Sequence, residues 1–449
     1  MDNKTMMQYF EWYLPNNSMH WERCIVQAKS LSEAGINMVW LPPAYKGAAA
    51  DKSVGYDVYD TYDLGEFERK GTTLTKYGSR DQYLCAVEVF RSQGIEVLAD
   101  VVLNHMMGAD DKETVMAMED NPLDRTEEIC AEREICAWTK FSFPNRNGKY
   151  SEFKWDYTNF SGTDRDELTK SNGIFRFKGK NWVIKTDDEF GNFDYLMGAN
   201  VDMKNPETVK AVTDWGKWYL DTVHMDGFRL DAVKHIDFDF YREWLKNMRE
   251  HAGKSFFAVG EYWSGDSDKL LHYLDVVEDS MSLFDVPLHF EMFNAANSNG
   301  NYDMGSIMKN SLVRLRPEKA VTFVDNHDTQ PGQALCSFIP SWFKPIAYAL
   351  ILLQKEGIPC VFYGDYYGIP HDNIPPVANL KKLIYLRKKY AYGEQTDYFN
   401  DRSIVGFTRL GDDEHENSGL AVLMTISHFG TKTMCMGEKF ANKFMYNIM

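Results

Sequence analysis

The sequence predicts an α/β fold, a parallel (β/α)8 TIM barrel with a large insertion after its third strand and a small C-terminal β domain. Three observations predict it. Eight short apolar runs, bounded by turn residues, recur along the 449 residues. Segments with apolar residues at three- and four-residue spacing lie between many of them, and that is the helix signature. Three of the runs end on an acidic residue: Asp231 in GFRLDAVKH, Glu261 in FFAVGEYW and Asp328 in VTFVDNHD.

The candidate strands, in order, are Met7–Trp12, Asn37–Leu41, Ile95–Leu103, Gly227–Ala232, Phe256–Gly260, Leu283–Val286, Ala320–Val324 and Ile358–Tyr363. Candidate helices are Trp21–Ala34, Arg80–Gln93, Thr208–Val223, Phe238–His251 and Trp342–Lys355. Strands alternating with helices pair in parallel, because each return to a parallel strand needs a crossover. Eight units favour closure over an open doubly wound sheet, the alternative arrangement. No GxGxxG follows a strand, so the open sheet's usual cofactor has no support.

Between Asn104 and Asn205 the rhythm breaks into polar, Gly- and aromatic-containing sequence, too long for a plain loop. The barrel then takes residues 1–104 and 206–390, and the insertion takes 105–205. After Ala391, SIVGFTRL and LAVLMTIS flank the turn-rich GDDEHENSG and read as antiparallel strands of a third unit, 391–449.

Composition narrows the function. The net charge is −17, which disfavours nucleic acid or an anionic membrane as partner. Aromatic residues make up 14%, a supply of flat faces for packing or for stacking on sugar rings. Seven scattered cysteines without CxxC favour free thiols over a disulfide framework or a zinc site. No basic-then-apolar leader and no long apolar span are visible, so a cytoplasmic location is expected.

The strand ends carry the chemistry. A carboxylate at the end of a buried strand is costly unless it is paired, solvated or used. Arg229 and Asp231 share a strand face, so the arginine is expected to hold the carboxylate ionised and oriented. Apolar and aromatic neighbours of Glu261 desolvate it, which suits a proton donor. His327 beside Asp328 can donate a hydrogen bond to a carboxylate or a hydroxyl. In DVVLNH (Asp100–His105), Asp100 is a candidate partner for Arg229 and Asn104 a candidate cation ligand. Taken singly, each segment has a bland reading as an ion pair or turn. All four fall at strand ends on one barrel face, where such folds place their active sites.

DVVLNH, GFRLDAVKH, EYW and FVDNHD resemble, in order, the four signature regions of the α-amylase family of glycoside hydrolases. LPPAYKG, VGYDVYD, NFDYLMG and DNHDTQPGQ extend the resemblance to the bacterial liquefying enzymes, cytoplasmic branch, from about Met7 to about Gly437. The resemblance implies a nucleophile at Asp231, a general acid/base at Glu261 and a transition-state stabiliser at Asp328. It implies substrate contacts at Tyr56, His105, Arg229, Lys234, His235, Trp263 and His327. The expected activity is retaining endo-hydrolysis of α-1,4 bonds in starch, glycogen or maltodextrin by a monomer. The rivals are an exo-acting maltooligosaccharide-forming amylase, a transglycosylase, and a non-catalytic glucan-binding protein.

The resemblance also implies a calcium site at Asn104, Asp194, Asn200 and the His235 carbonyl. Asn200 stands where an Asp is usual, and Ser161, Val183 and Lys204 replace further acids, so at most one weakly held Ca²⁺ is expected. The acidic stretch Asp187–Glu189 reads as a solvated loop. The family's C-terminal domain usually continues for more strands, so a shortened β domain with an exposed edge is expected.

Overall fold

The computed structural model of the chain describes residues 3–427, 429–441 and 445–447. Eight strands form a closed barrel: β1 (Met6–Gln8), β2 (Met38–Trp40), β3 (Glu96–Val101), β4 (Gly227–Leu230), β5 (Phe257–Gly260), β6 (Ser282–Phe284), β7 (Ala320–Phe323) and β8 (Ile358–Phe362). Each pairs in parallel with its sequence neighbours, and β8 returns to β1. Every expected strand is present, trimmed at its ends.

Register decides what the barrel mouth contains. β4 pairs with β3 so that Arg229 lies beside Asp100, and with β5 so that Arg229 lies beside Val259. Residues opposed in this way share a face, so Asp100 and Arg229 both point inward. Two positions earlier, Gly227 leaves the strands room to approach. A Cβ there would sit 2.3 Å from the Phe257 carbonyl oxygen and 2.5 Å from the Leu98 side chain.

The helices follow local signals. Ser79 and Gln82 form a reciprocal capping box ahead of Arg80–Ser92. Asn205 caps Pro206–Val223, with proline at the first helical position. Phe238–Ala252 buries Tyr241, Trp244, Leu245 and Met248, one stripe at three- and four-residue spacing. Three helices of ten or more residues were not among the expected elements, Ser267–Val276, Val286–Asn297 and Leu380–Tyr390, nor were the short Leu312–Leu315 and Tyr363–Tyr367.

The insertion leaves directly after β3. It forms an antiparallel sheet with its own core of Val115, Ile135, Phe141, Phe160, Phe175 and Phe177. Its first strand, His105–Met106, pairs with its last, Ala199–Val201, so the two chain crossings are zipped together at the barrel rim. The C-terminal strands Gln395–Tyr398, Ile404–Arg409 and Leu420–Thr425 form an antiparallel sheet. Its Val405 and Phe407 are fully buried within the barrel's hydrophobic core cluster. The expected boundary at residue 449 lies outside the described residues. All seven cysteines are free. Among the described residues, no helix is long and apolar enough to cross a membrane.

Candidate active site

Arg229 is the centre of the site. It is wholly buried, and its guanidinium lies 4.7 Å from the Trp40 ring centroid. Nη1 donates to Asp100 Oδ1 at 2.8 Å and to Asp231 Oδ1 at 2.6 Å. Nη2 donates to Glu261 Oε2 at 2.5 Å. One planar cation therefore draws the carboxylates that follow β4 and β5 onto adjacent nitrogens. Asp100 also accepts from Trp40 Nε1 at 2.9 Å and Tyr56 OH at 2.7 Å, which fixes it as the lower anchor. The expected Asp100–Arg229 pair is present.

Asp328 completes the group from the loop after β7. It is the most open of the acids, with 26% of its side chain exposed, and His327 Nε2 lies 3.3 Å from its Oδ2. Burial and the charge of Glu261 hold its carboxyl well above the usual range. Asp231 is raised to about 7: burial pushes it up most, Arg229 pulls it down, and Glu261 and Asp100 add to the rise. The sequence reading took the Arg229 effect as dominant. Burial and crowding win because Asp100, Asp231, Glu261 and Asp328 surround a single guanidinium.

Aromatic rings wall one side. Tyr56 stacks on His327 with centroids 4.9 Å apart, and Trp12 lies parallel to both at 6.1 Å. Burial and Arg229 keep His327 well below its usual pKa, so its ring is neutral. Trp12 was not expected here. It ends the first apolar run, and only barrel closure brings it beside Tyr56.

The opposite side is built by the insertion. Lys234 Nζ pairs with Glu189 at 2.9 Å, and His235 Nδ1 lies 2.8 Å from the Phe193 carbonyl. Burial, then Lys234, pushes His235 down to about 3, so it too is neutral. Asp187 is buried and accepts from Tyr262 OH at 2.6 Å and Lys269 Nζ at 2.9 Å. The expected solvated loop at Asp187–Glu189 is corrected at Asp187, which is buried and ion-paired; Asp188 and Glu189 are exposed, as expected, while pairing with Lys269 and Lys234 across the β4–β5 side of the mouth. Trp263 packs near His289 and Phe290, at the start of the loop after β5.

Asn104, Asp194, Asn200 and His235 meet where the insertion joins the barrel. Asn104 Nδ2 lies 3.2 Å from the His235 carbonyl and 3.5 Å from the Asp194 carbonyl. Asn200 Nδ2 donates to Ser161, and its Oδ1 is buried without a partner. Burial raises Asp194 to about 7. His105 Nε2 lies 2.8 Å from the Tyr56 carbonyl, so that nitrogen carries the hydrogen and Nδ1 accepts. Nδ1 nevertheless faces Asn104 Oδ1 at 3.3 Å. Exchanging the amide atoms gives His105 a donor and turns Asn104 Oδ1 toward the His235 and Asp194 carbonyls, oxygens that fit one oxygen-ligated cation. Among the described residues no group of three or more His, Cys, Asp or Glu could hold a metal. A site with one carboxylate and amide or carbonyl oxygens binds weakly.

Residues 24–398 match the family model described as "Alpha amylase, catalytic domain". The chain belongs to the alpha-amylase family. It is 51% identical to an alpha-amylase of Geobacillus stearothermophilus over 99% of this chain and 82% of that one. It is 48% identical to a glucan 1,4-alpha-maltohexaosidase of Bacillus sp. (strain 707), over 98% and 86%. It is 44% identical to the cytoplasmic alpha-amylase of Escherichia coli (strain K12), over 99% and 92%. Glycosidic cleavage uses two carboxyl groups close together, and here Asp231 and Glu261 meet on one guanidinium.

Proposed function

We propose that the chain is a retaining α-amylase that cuts internal α-1,4-glucosidic bonds in starch, glycogen and maltodextrins. The observation that supports this best is the single guanidinium joining Asp231 to Glu261. Retaining enzymes hold their two carboxyls about 5–5.5 Å apart, too close for a water between them. Asp231 attacks the anomeric carbon while Glu261 protonates the departing glycosidic oxygen, giving a covalent glucosyl enzyme. Glu261 then deprotonates a water, which attacks the same carbon and releases Asp231. Asp328 bonds ring hydroxyls more tightly as the sugar flattens, which lowers the barrier by differential binding.

The Tyr56 ring is the platform for the cleaved unit, with His327 and His105 at its edge. Arg229 orients the nucleophile. Lys234, His235 and Trp263 lie on the leaving-group side. One calcium ion, held by Asn104, Asp194, Asn200 and the His235 carbonyl, would supply charge that ties insertion to barrel. The barrel comprises 1–104 and 206–390, the insertion 105–205 and the C-terminal unit 391–449. A cytoplasmic monomer is the proposed form, a reading supported by the free thiols and by the Escherichia coli relative.

The test is Asp231→Asn assayed on soluble starch. We expect a loss of release of reducing ends on the order of 10³-fold or more. Equal, slow release by both proteins would favour a glucan-binding role. An exo-acting enzyme is the second reading, favoured by the maltohexaosidase relative. End-blocked maltoheptaoside separates the two, since only an internal cutter degrades it.

A further inference from the structure

Between β7 and the helix Lys344–Leu353 the chain has no regular secondary structure, yet it carries Asn326, His327 and Asp328. Its two ends are joined by a buried ion cluster. Lys344 Nζ sits 2.8 Å from Asp325 Oδ2, contacts Asp365 after β8, and lies 3.4 Å from the Phe338 ring centroid. Tyr348 OH donates to Asp365 Oδ2 at 2.7 Å. Lys344, Asp325 and Asp365 are all essentially inaccessible. A lysine taken wholly out of water and shared by two carboxylates is costly to build and geometrically exact.

The cluster runs to Asp328 through backbone and side-chain hydrogen bonds. Asp325 Oδ1 accepts from Thr329 Oγ1 at 2.9 Å, and Thr329 Oγ1 accepts from the Asn326 amide at 2.9 Å. Asn326 Oδ1 accepts from the amides of Asp328 and Thr329, both at 2.9 Å. The far limb is tied as well: the Ile339 amide donates to Asp325, and Ser337 bonds His289, whose other nitrogen faces the Val324 carbonyl.

We propose that Lys344 and Asp325 are positioning residues for Asp328: their ion pair closes the β7 loop and sets the carboxyl that meets the sugar. The inference rests on Asp328 being the group that binds the distorted sugar. Without the pair, the loop's two limbs separate and Asp328 loses its aim before the barrel loses its fold.

The test uses the full chain and a soluble chromogenic maltooligosaccharide. Asp325→Asn keeps shape and the Thr329 bond but removes the charge. We expect kcat to fall about tenfold or more with KM within about threefold, the pattern of an interaction made in the transition state. Affinity for a transition-state mimic should fall in proportion, while affinity for maltose should not. Lys344→Met should behave alike, and Lys344→Arg should recover part of the loss. Leu350→Ala, a cavity in the same helix, should lower Tm with kcat within about twofold. A folded Asp325→Asn or Lys344→Met with kcat near wild type overturns the proposal. So does an equal kcat loss in Leu350→Ala at matched Tm. Asp328→Asn, run alongside, separates the two readings: full activity there sinks the role of Asp328 itself.

Discussion

Arg229 carries one positive charge among four carboxyl groups, and that imbalance governs how the site titrates. A carboxyl can act as a nucleophile only when ionised, and that of Asp231, the proposed nucleophile, is raised to about 7. We expect kcat/KM to fall as pH drops through about 7, read from a rate profile on soluble substrate. The same shift has a stability consequence. A carboxyl whose folded pKa lies above its unfolded value of about 3.9 binds its proton more tightly when folded. Its stabilising contribution is complete below pH 4 and is lost as pH rises through about 7. Asp231→Asn should therefore raise Tm at pH 8 and change it little at pH 4, read by thermal melts at both values. At this scale the strand-end acids and the Arg229–Asp231 face were legible, because alternate residues of a strand share a side. The net direction of the Asp231 shift was not. It depends on Glu261 and Asp100, which fold in from other strands.

Among the elements, the strap 183–193 shows how the insertion builds the cleft. Asp187 accepts from Tyr262 and Lys269, both of the β5 side, and Glu189 pairs with Lys234. Asp187→Ala leaves a buried hydroxyl without its acceptor and should cost about 1–3 kcal/mol, measured by denaturant unfolding. The acidic run looked like a solvated loop because its partners lie some distance along the chain. The eight strands were legible because each is a short apolar run between turns. Val286–Asn297 was not, because only Asp285 separates it from β6, so the apolar run appeared to continue to Val286. Leu380–Tyr390 hides behind a mostly cationic face, Lys381, Lys382, Lys388 and Lys389. Ala232 begins the turn after β4 with φ 50°, a left-handed residue immediately after the nucleophile.

At the scale of the whole molecule, barrel and insertion are joined at the paired strands His105–Met106 and Ala199–Val201, beside the oxygens of Asn104, Asp194 and Asn200. With one carboxylate in that set, chelation should lower Tm by only a few degrees, and added Ca²⁺ should restore it. Rapid unfolding in a chelator would show a far stronger site. Asn104 was a candidate cation ligand as a polar strand end, but Asp194 was found through family resemblance alone; spacing in the sequence gives no sign that they meet, since they stand 90 positions apart.

In the proposed double displacement, Asp231 and Glu261, held on one guanidinium, act on the same anomeric carbon. The most direct measurement is the proton NMR spectrum of fresh reducing ends, taken before mutarotation. The account predicts that the α-anomer appears first. Initial release of the β-anomer would mean that water attacks the sugar directly, and would contradict it.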